Sequence, residues 1–173
     1  MIFRQTSPTD EDYFKFYEEI RDQTLKFYSE FAKKYINFMC KKGCSECCES
    51  FSILPLEYYY IKQKLPKNSI TIQSLSMGNS CLFLKNNECQ IYEFRPIMCI
   101  TQGLPLLVRD ESSNSKNIFI CKKNENLISD KKIKSYKAFE YDTMIAKLTV
   151  YNYLFCISYD IPDERIDIGQ LIL

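Results

Sequence analysis

Apolar and aromatic residues, with one threonine, recur at steps of three and four along the first forty positions: Tyr13, Phe16, Tyr17, Ile20, Thr24, Phe27, Tyr28, Phe31, Tyr35 and Phe38. That period places them on one face of a long amphipathic helix ending near Met39. Ser7-Pro8-Thr9-Asp10 offers it a hydroxyl cap, a proline for the first turn and an acid for its positive end. The aromatic stripe reads as core packing rather than as a ligand groove. A second long helix is expected from about Ser129, with Tyr141, Met144, Leu148, Tyr151 and Phe155 in helical register. Asp160-Ile161-Pro162 closes it, and the last eleven residues read as a tail.

Shorter signals fill the space between. Phe51 to Leu54 suits a short strand, and Pro55 opens a helix through about Leu65, bounded by Pro66. Cys81 to Leu84 and Cys89 to Tyr92 flank Lys85-Asn86-Asn87-Glu88, the pattern of a small β-hairpin with an Asn-rich turn. Arg95-Pro96 starts a turn or short helix. Leu104 to Arg109 and Asn117 to Cys121 flank the polar stretch Asp110 to Lys116 as a second hairpin.

With 173 residues, no repeat and no linker, the chain fits one domain, 1–173, around one core. The formal charge of +1 gives no field to attract nucleic acid. Lys131, Lys132, Lys134 and Lys137 read as one solvated helix face. The N-terminus has no signal-peptide core, and no apolar run is long enough to span a bilayer, so a cytoplasmic protein without a membrane partner is expected. Thiols stay reduced there unless they bind metal or do redox chemistry. The chain contains no histidine, which excludes His-based triads and His zinc ligands and leaves thiolate and carboxylate for metal chemistry.

There are nine cysteines, four of them within nine residues: Cys40-Lys-Lys-Gly-Cys44-Ser-Glu-Cys47-Cys48. A looped backbone with this spacing, helped by Gly43, can aim several sulfurs at one centre. A bound cation offsets the repulsion between thiolates packed so closely. Metal binding therefore outranks disulfides or inert packing. Neighbouring side chains diverge, so for Cys47 and Cys48 either one faces elsewhere or the site holds more than one metal atom. Eight thiols, leaving out Cys156, would suit two four-thiolate centres.

At these residues the sequence resembles the YkgJ-like cysteine-cluster proteins, described as zinc- or iron-chelating domains. Their pattern stands here as Cys40, Cys44, Cys47, Cys48, then Cys81-Leu-Phe-Leu, then Cys89-Gln-Ile-Tyr92-Glu-Phe-Arg95-Pro96-Ile-Met-Cys99. The likeness spans about residues 40 to 121. The family usually places an Arg after the cysteine equivalent to Cys99, where this chain has Ile100. Cys121 matches a loosely placed late cysteine, and Cys156 matches nothing and reads as packed in the last helix. The resemblance implies metal ligands at Cys40, Cys44, Cys47, Cys48, Cys81, Cys89, Cys99 and Cys121. A related pattern occurs in the larger flagellin lysine methylases, which permits an enzymatic reading.

The expected fold is thus α+β and mainly α, with two long helices bracketing a cysteine-rich metal-binding middle that holds one or two short hairpins. The excess of thiols, the adjacent pair and the lack of His favour an iron–sulfur cluster, of the [4Fe-4S] kind, over zinc. The Cys-x3-Cys-x2-Cys spacing is also that of radical S-adenosylmethionine enzymes. Glu46 stands where they place an aromatic, and four glycines are too few for their cofactor loop. Arg95 is a candidate to donate hydrogen bonds to cluster sulfur, against an ion pair with Glu93 or Glu49. Tyr92 would pack over the site or serve the core. Glu46 and Glu49 are oxygen-ligand or base candidates that read more simply as solvated acids. Three functions remain open: a structural or electron-carrying metal module, a cluster-dependent enzyme for methyl transfer or redox chemistry, and a protein that sequesters or delivers zinc or iron.

Overall fold

The computed structural model describes residues 10–65, 80–110, 112–113, 115–129 and 137–172. The fold is mixed α and β, with about 53% of the described residues in helices and with small sheets. Helix α1 spans Asp10–Lys34 and buries Tyr13, Tyr17, Ile20, Thr24 and Phe31 along one stripe. It stops short of the expected Met39. The Tyr35 N–H still reaches the Phe31 carbonyl, but the Phe38 N–H bonds to the Tyr35 carbonyl and closes a turn. Ile36 is 95% exposed at its tip. The turn folds Phe38 back edge-on against Phe31, 5.4 Å between ring centroids, so the apolar spacing continues although the helix does not. The proposed cap at Ser7 to Thr9 lies outside the described residues.

After β1 (Ser52–Ile53) comes α2 (Pro55–Lys64). Pro55 sits at its first turn and no local side chain caps it. The cap comes instead from across the core, where Asn152 Oδ1 accepts a 2.9 Å hydrogen bond from the Leu56 N–H. Asn152 is fully buried, and its Nδ2 donates to Asp163. A polar side chain inside a core is stable only when its bonds are met, and these two bonds meet that condition.

Strands β2 (Leu84–Lys85) and β3 (Glu88–Cys89) pair antiparallel around Asn86 and Asn87, whose φ values are 51° and 62°. Two left-handed central residues define the primed turn that suits strand twist, and asparagine tolerates that conformation. The short helix α3 (Ile97–Thr101) follows, then β4 (Leu106–Arg109), β5 (Lys116–Phe119) and α4 (Asn126–Ser129). β5 and β6 (Phe139–Glu140) flank β4, antiparallel and parallel respectively.

The C-terminal helix, α5, runs Tyr141–Tyr159 and not from Ser129. Phe139 and Glu140 are drawn into strand pairing with Leu106 and Leu107, and the Phe139 N–H bonds to the Pro105 carbonyl. This is a tertiary pairing that no local period announces. Lys131, Lys132 and Lys134 lie outside the described residues. Asp160, left-handed at φ 51°, caps α5. The last residues are not a loose tail. β7 (Ile166–Asp167) pairs with β1, and Ile168 and Leu171 are buried in the core. Helices α1, α2 and α5 meet there through Tyr17, Leu56, Ile61, Leu148 and Phe155. Among the described residues no helix is long and apolar enough to cross a membrane.

Candidate metal centre

The cysteine loop starts where the turn after α1 ends. Tyr28, on α1, donates a 2.6 Å hydrogen bond to the Cys40 carbonyl and fixes the start of the loop. Two tight turns follow, with the Cys44 N–H on the Lys41 carbonyl and the Cys48 N–H on the Ser45 carbonyl. Gly43 has φ +93°, the conformation that favours glycine. The Cys81 N–H then bonds to the Cys48 carbonyl, and Ser45 Oγ reaches Asn87 Oδ1, which pins the loop to the β2–β3 hairpin. Cys81 precedes the hairpin and Cys89 lies on its second strand. Cys99 is carried by α3.

That helix is held by a residue the sequence reading passed over. Glu57, 4% exposed on α2, accepts hydrogen bonds through one carboxylate oxygen from the Ile97 N–H at 3.0 Å and from Tyr17 Oη at 3.1 Å. Burial raises its pKa, against the hydrogen bonds that stabilise its charge. Glu57 thus ties α3, and Cys99 with it, to α1 and α2.

Seven thiols line one cleft: Cys40, Cys44, Cys47, Cys48, Cys81, Cys89 and Cys99. Cys47 and Cys48 both line it, on the turn closed by the Cys48 N–H and the Ser45 carbonyl. Cys121 is not among the cleft's lining residues. Cys156 is 2% exposed within α5, away from the cleft. The cleft encloses about 80 Å³ between apolar walls that include Phe51, Ile91 and Ile168.

Asn124, fully buried and also unforeseen, braces Cys40. Its Nδ2 donates to Cys40 Sγ at 3.2 Å and to the Gly103 carbonyl at 3.1 Å, and its Oδ1 accepts from the Met39 N–H at 2.8 Å. Gly103, at φ +85°, packs so tightly here that an added Cβ would overlap the Cys40 side chain. Gly103→Ala is expected to destabilise the fold by roughly 1–3 kcal/mol from backbone strain alone, with the overlap adding to it. A thermal melt of the variant unchanged from the parent would contradict this packing.

Arg95 is 7% exposed and lies with its guanidinium 3.7 Å from the Tyr92 ring centroid and 5.7 Å from that of Tyr28. Its Nη1 donates to the Tyr92 carbonyl at 2.7 Å. Among the described residues no carboxylate pairs with it, so the ion pairs with Glu49 or Glu93 do not form. Glu46 is exposed and pairs with Lys123 at 3.1 Å. Glu49 is exposed at the cleft rim.

Burial raises the pKa of Cys81, Cys89 and Cys99, and of Cys40 to about 12, where the bond its S–H donates to Cys121 adds to the effect. Cys47 moves the other way, to about 7, chiefly because Cys48 donates to it. Among the described residues no three Cys, Asp or Glu side chains already stand as the ligands of one ion. The donor set nonetheless fits a metal: soft sulfurs lining one cleft, an apolar wall, and a buried cation not paired with a carboxylate. Each neutral thiol must lose its proton to become a ligand. Metal affinity is therefore expected to rise with pH across the neutral range, by about tenfold per pH unit for each proton released. Competition titrations against a chelator at several pH values check this, and a pH-independent affinity would contradict it.

This arrangement defines a thiol-rich metal-binding class of domain. Residues 39–117 match the model of the CxxCxxCC family, described as a "putative zinc- or iron-chelating domain", and this cysteine-rich segment belongs to that family. No curated protein and no solved structure gives a significant match to the chain.

Proposed function

We propose that the chain, acting as one domain, is a cytoplasmic metal-binding protein whose thiolates hold an iron–sulfur cluster in the cleft, as a structural or electron-carrying module. The observation that carries this is Arg95. A buried guanidinium without a paired carboxylate is costly unless an anion answers it, and seven thiols line its cleft, with Glu49 also lining it but not paired with Arg95. Thiolates gathered on a metal centre supply that negative charge.

Within the proposal, the ligands come from Cys47, Cys48, Cys81, Cys89 and Cys99, with Cys40, Cys44 and Cys121 completing the thiol set. Five sulfurs around a space of about 80 Å³ support a polynuclear centre. That is room for roughly three waters, more than a single ion in a closed tetrahedral shell leaves. A bound cluster supplies one-electron transfer, with a potential set by its surroundings. The chain's own contribution is to exclude water with Phe51, Ile91 and Ile168 and to hold the Arg95 donors beside the sulfurs. Tyr92 holds the guanidinium over its ring. Cys47, the most readily ionised of these thiols, is the natural first ligand.

Elemental analysis and a visible spectrum on protein purified without oxygen test the reading. Iron with acid-labile sulfide and broad visible absorption is the expected result. A colourless protein with stoichiometric zinc would overturn the cluster and make the cleft a zinc site.

A further inference from the structure

We propose that the outward face of α5 is the interface of a homodimer, in which two copies of the chain pack α5 against α5 about a two-fold axis. The inference is independent of the metal reading, since no residue of α5 lines the cleft.

α5 is apolar on both sides. Met144, Leu148, Asn152, Phe155 and Cys156 are buried against the core. On the opposite side Ala146, Val150, Tyr153 and Ile157 recur at steps of four, three and four. Ala146 is exposed, and the three larger side chains are 56%, 54% and 60% exposed in that order. This is the seam spacing by which one helix interdigitates with another. A helix apolar all round is ordinarily covered all round. Leu154, half-exposed, widens the seam. Phe16 of α1 extends it sideways by stacking on Tyr151, 4.5 Å between ring centroids.

The face fits a second copy of itself. A two-fold contact sets one patch against the same patch, so the patch must be self-complementary. From Leu148 to Tyr159 the helix has no charged residue, and two copies therefore bring no like charges together along the seam. The area is also sufficient. Phe16, Val150, Tyr153, Leu154 and Ile157 together expose roughly 500 Å², at about 200 Å² for a whole large side chain. With a homodimer interface about 65% apolar, that apolar patch corresponds to nearly 800 Å² per copy, the standard size of a specific interface. A lipid surface suits the face less well. Helices that lie on membranes line their polar face with Lys and Arg. The single basic residue of α5 is Lys147, and the side away from the seam is the protein core.

Sedimentation of the full chain from micromolar to submillimolar concentration tests the interface, with reductant present so that no intermolecular disulfide mimics it. The expected species has twice the 20.5 kDa of one chain and dissociates on dilution. Tyr153→Glu and Tyr153→Lys each place like charges at the seam and should weaken association by more than about a hundredfold. Mixing the two variants should restore the dimer, since opposite charges then meet. That recovery would exclude a folding defect as the cause of the loss. Metal content should be the same in the variants as in the parent. A wild-type monomer at every concentration would overturn the interface, as would variants that associate as tightly as the parent. A wild-type monomer that floats with phospholipid vesicles would overturn it in favour of a lipid surface. A dimer that holds no iron would support the interface and overturn the cleft cluster instead.

Discussion

Cys99→Ser is expected to remove most of the iron from the cleft centre while the folded chain survives, whereas Cys156→Ser retains the full metal content. Cys99 comes to the cleft on α3, in the field of three other thiols, and is held there through the bond between Glu57 and Ile97. Serine keeps nearly the same shape but offers a hard, reluctantly ionised oxygen where a soft thiolate is needed. Cys156 is the most deeply buried of the nine cysteines, but it lies in α5 among core residues. Its replacement should cost packing only. Metal analysis beside a circular dichroism melt separates the two effects. Equal metal in both variants would refute the assignment of Cys99 to the centre.

Arg95→Met should lower metal retention by about 10- to 100-fold, the usual cost of losing a group that supports metal ligands. The same substitution should change the stability of the unloaded chain little. Methionine fills the space between Tyr28 and Tyr92 and brings no charge to bury, which offsets the lost ring contact and the bond to the Tyr92 carbonyl. Arg95→Lys should not rescue retention, because an ammonium lacks the planar fork and stacks poorly. Melts with and without metal decide the matter. If Arg95→Met destabilised both forms equally, Arg95 would be a packing residue and its link to the centre would fall.

The thiols, the β2–β3 turn and the two long apolar stripes were legible because each is a local pattern. Asn86-Asn87 announces a left-handed pair, and four cysteines in nine residues announce a centre. The errors in element boundaries share one cause. Phe38 kept the helical spacing only because a turn returned it to Phe31, and Phe139 left the C-terminal helix because β4 offered it a partner. Glu57 and Asn124 were missed for a related reason. Their roles arise from bonds to residues 40 and 84 positions away, which no spacing encodes. A faint signal existed in Glu57, an acid set among Leu56, Tyr58, Tyr60 and Ile61 on a short helix.

The wall that Ile168 gives the cleft has a consequence for biosynthesis. The segment Cys40 to Cys48 leaves the ribosome roughly 120 residues before Ile168, and β1 waits equally long for β7. A long loop closes at small entropic cost, but not before its far end exists. During translation the nascent thiols are therefore exposed to whatever metal and oxidant the compartment holds. On the proposed reading the cleft is walled only once Ile168 has been synthesised, so the filling of the centre is expected to depend on metal supply after that point.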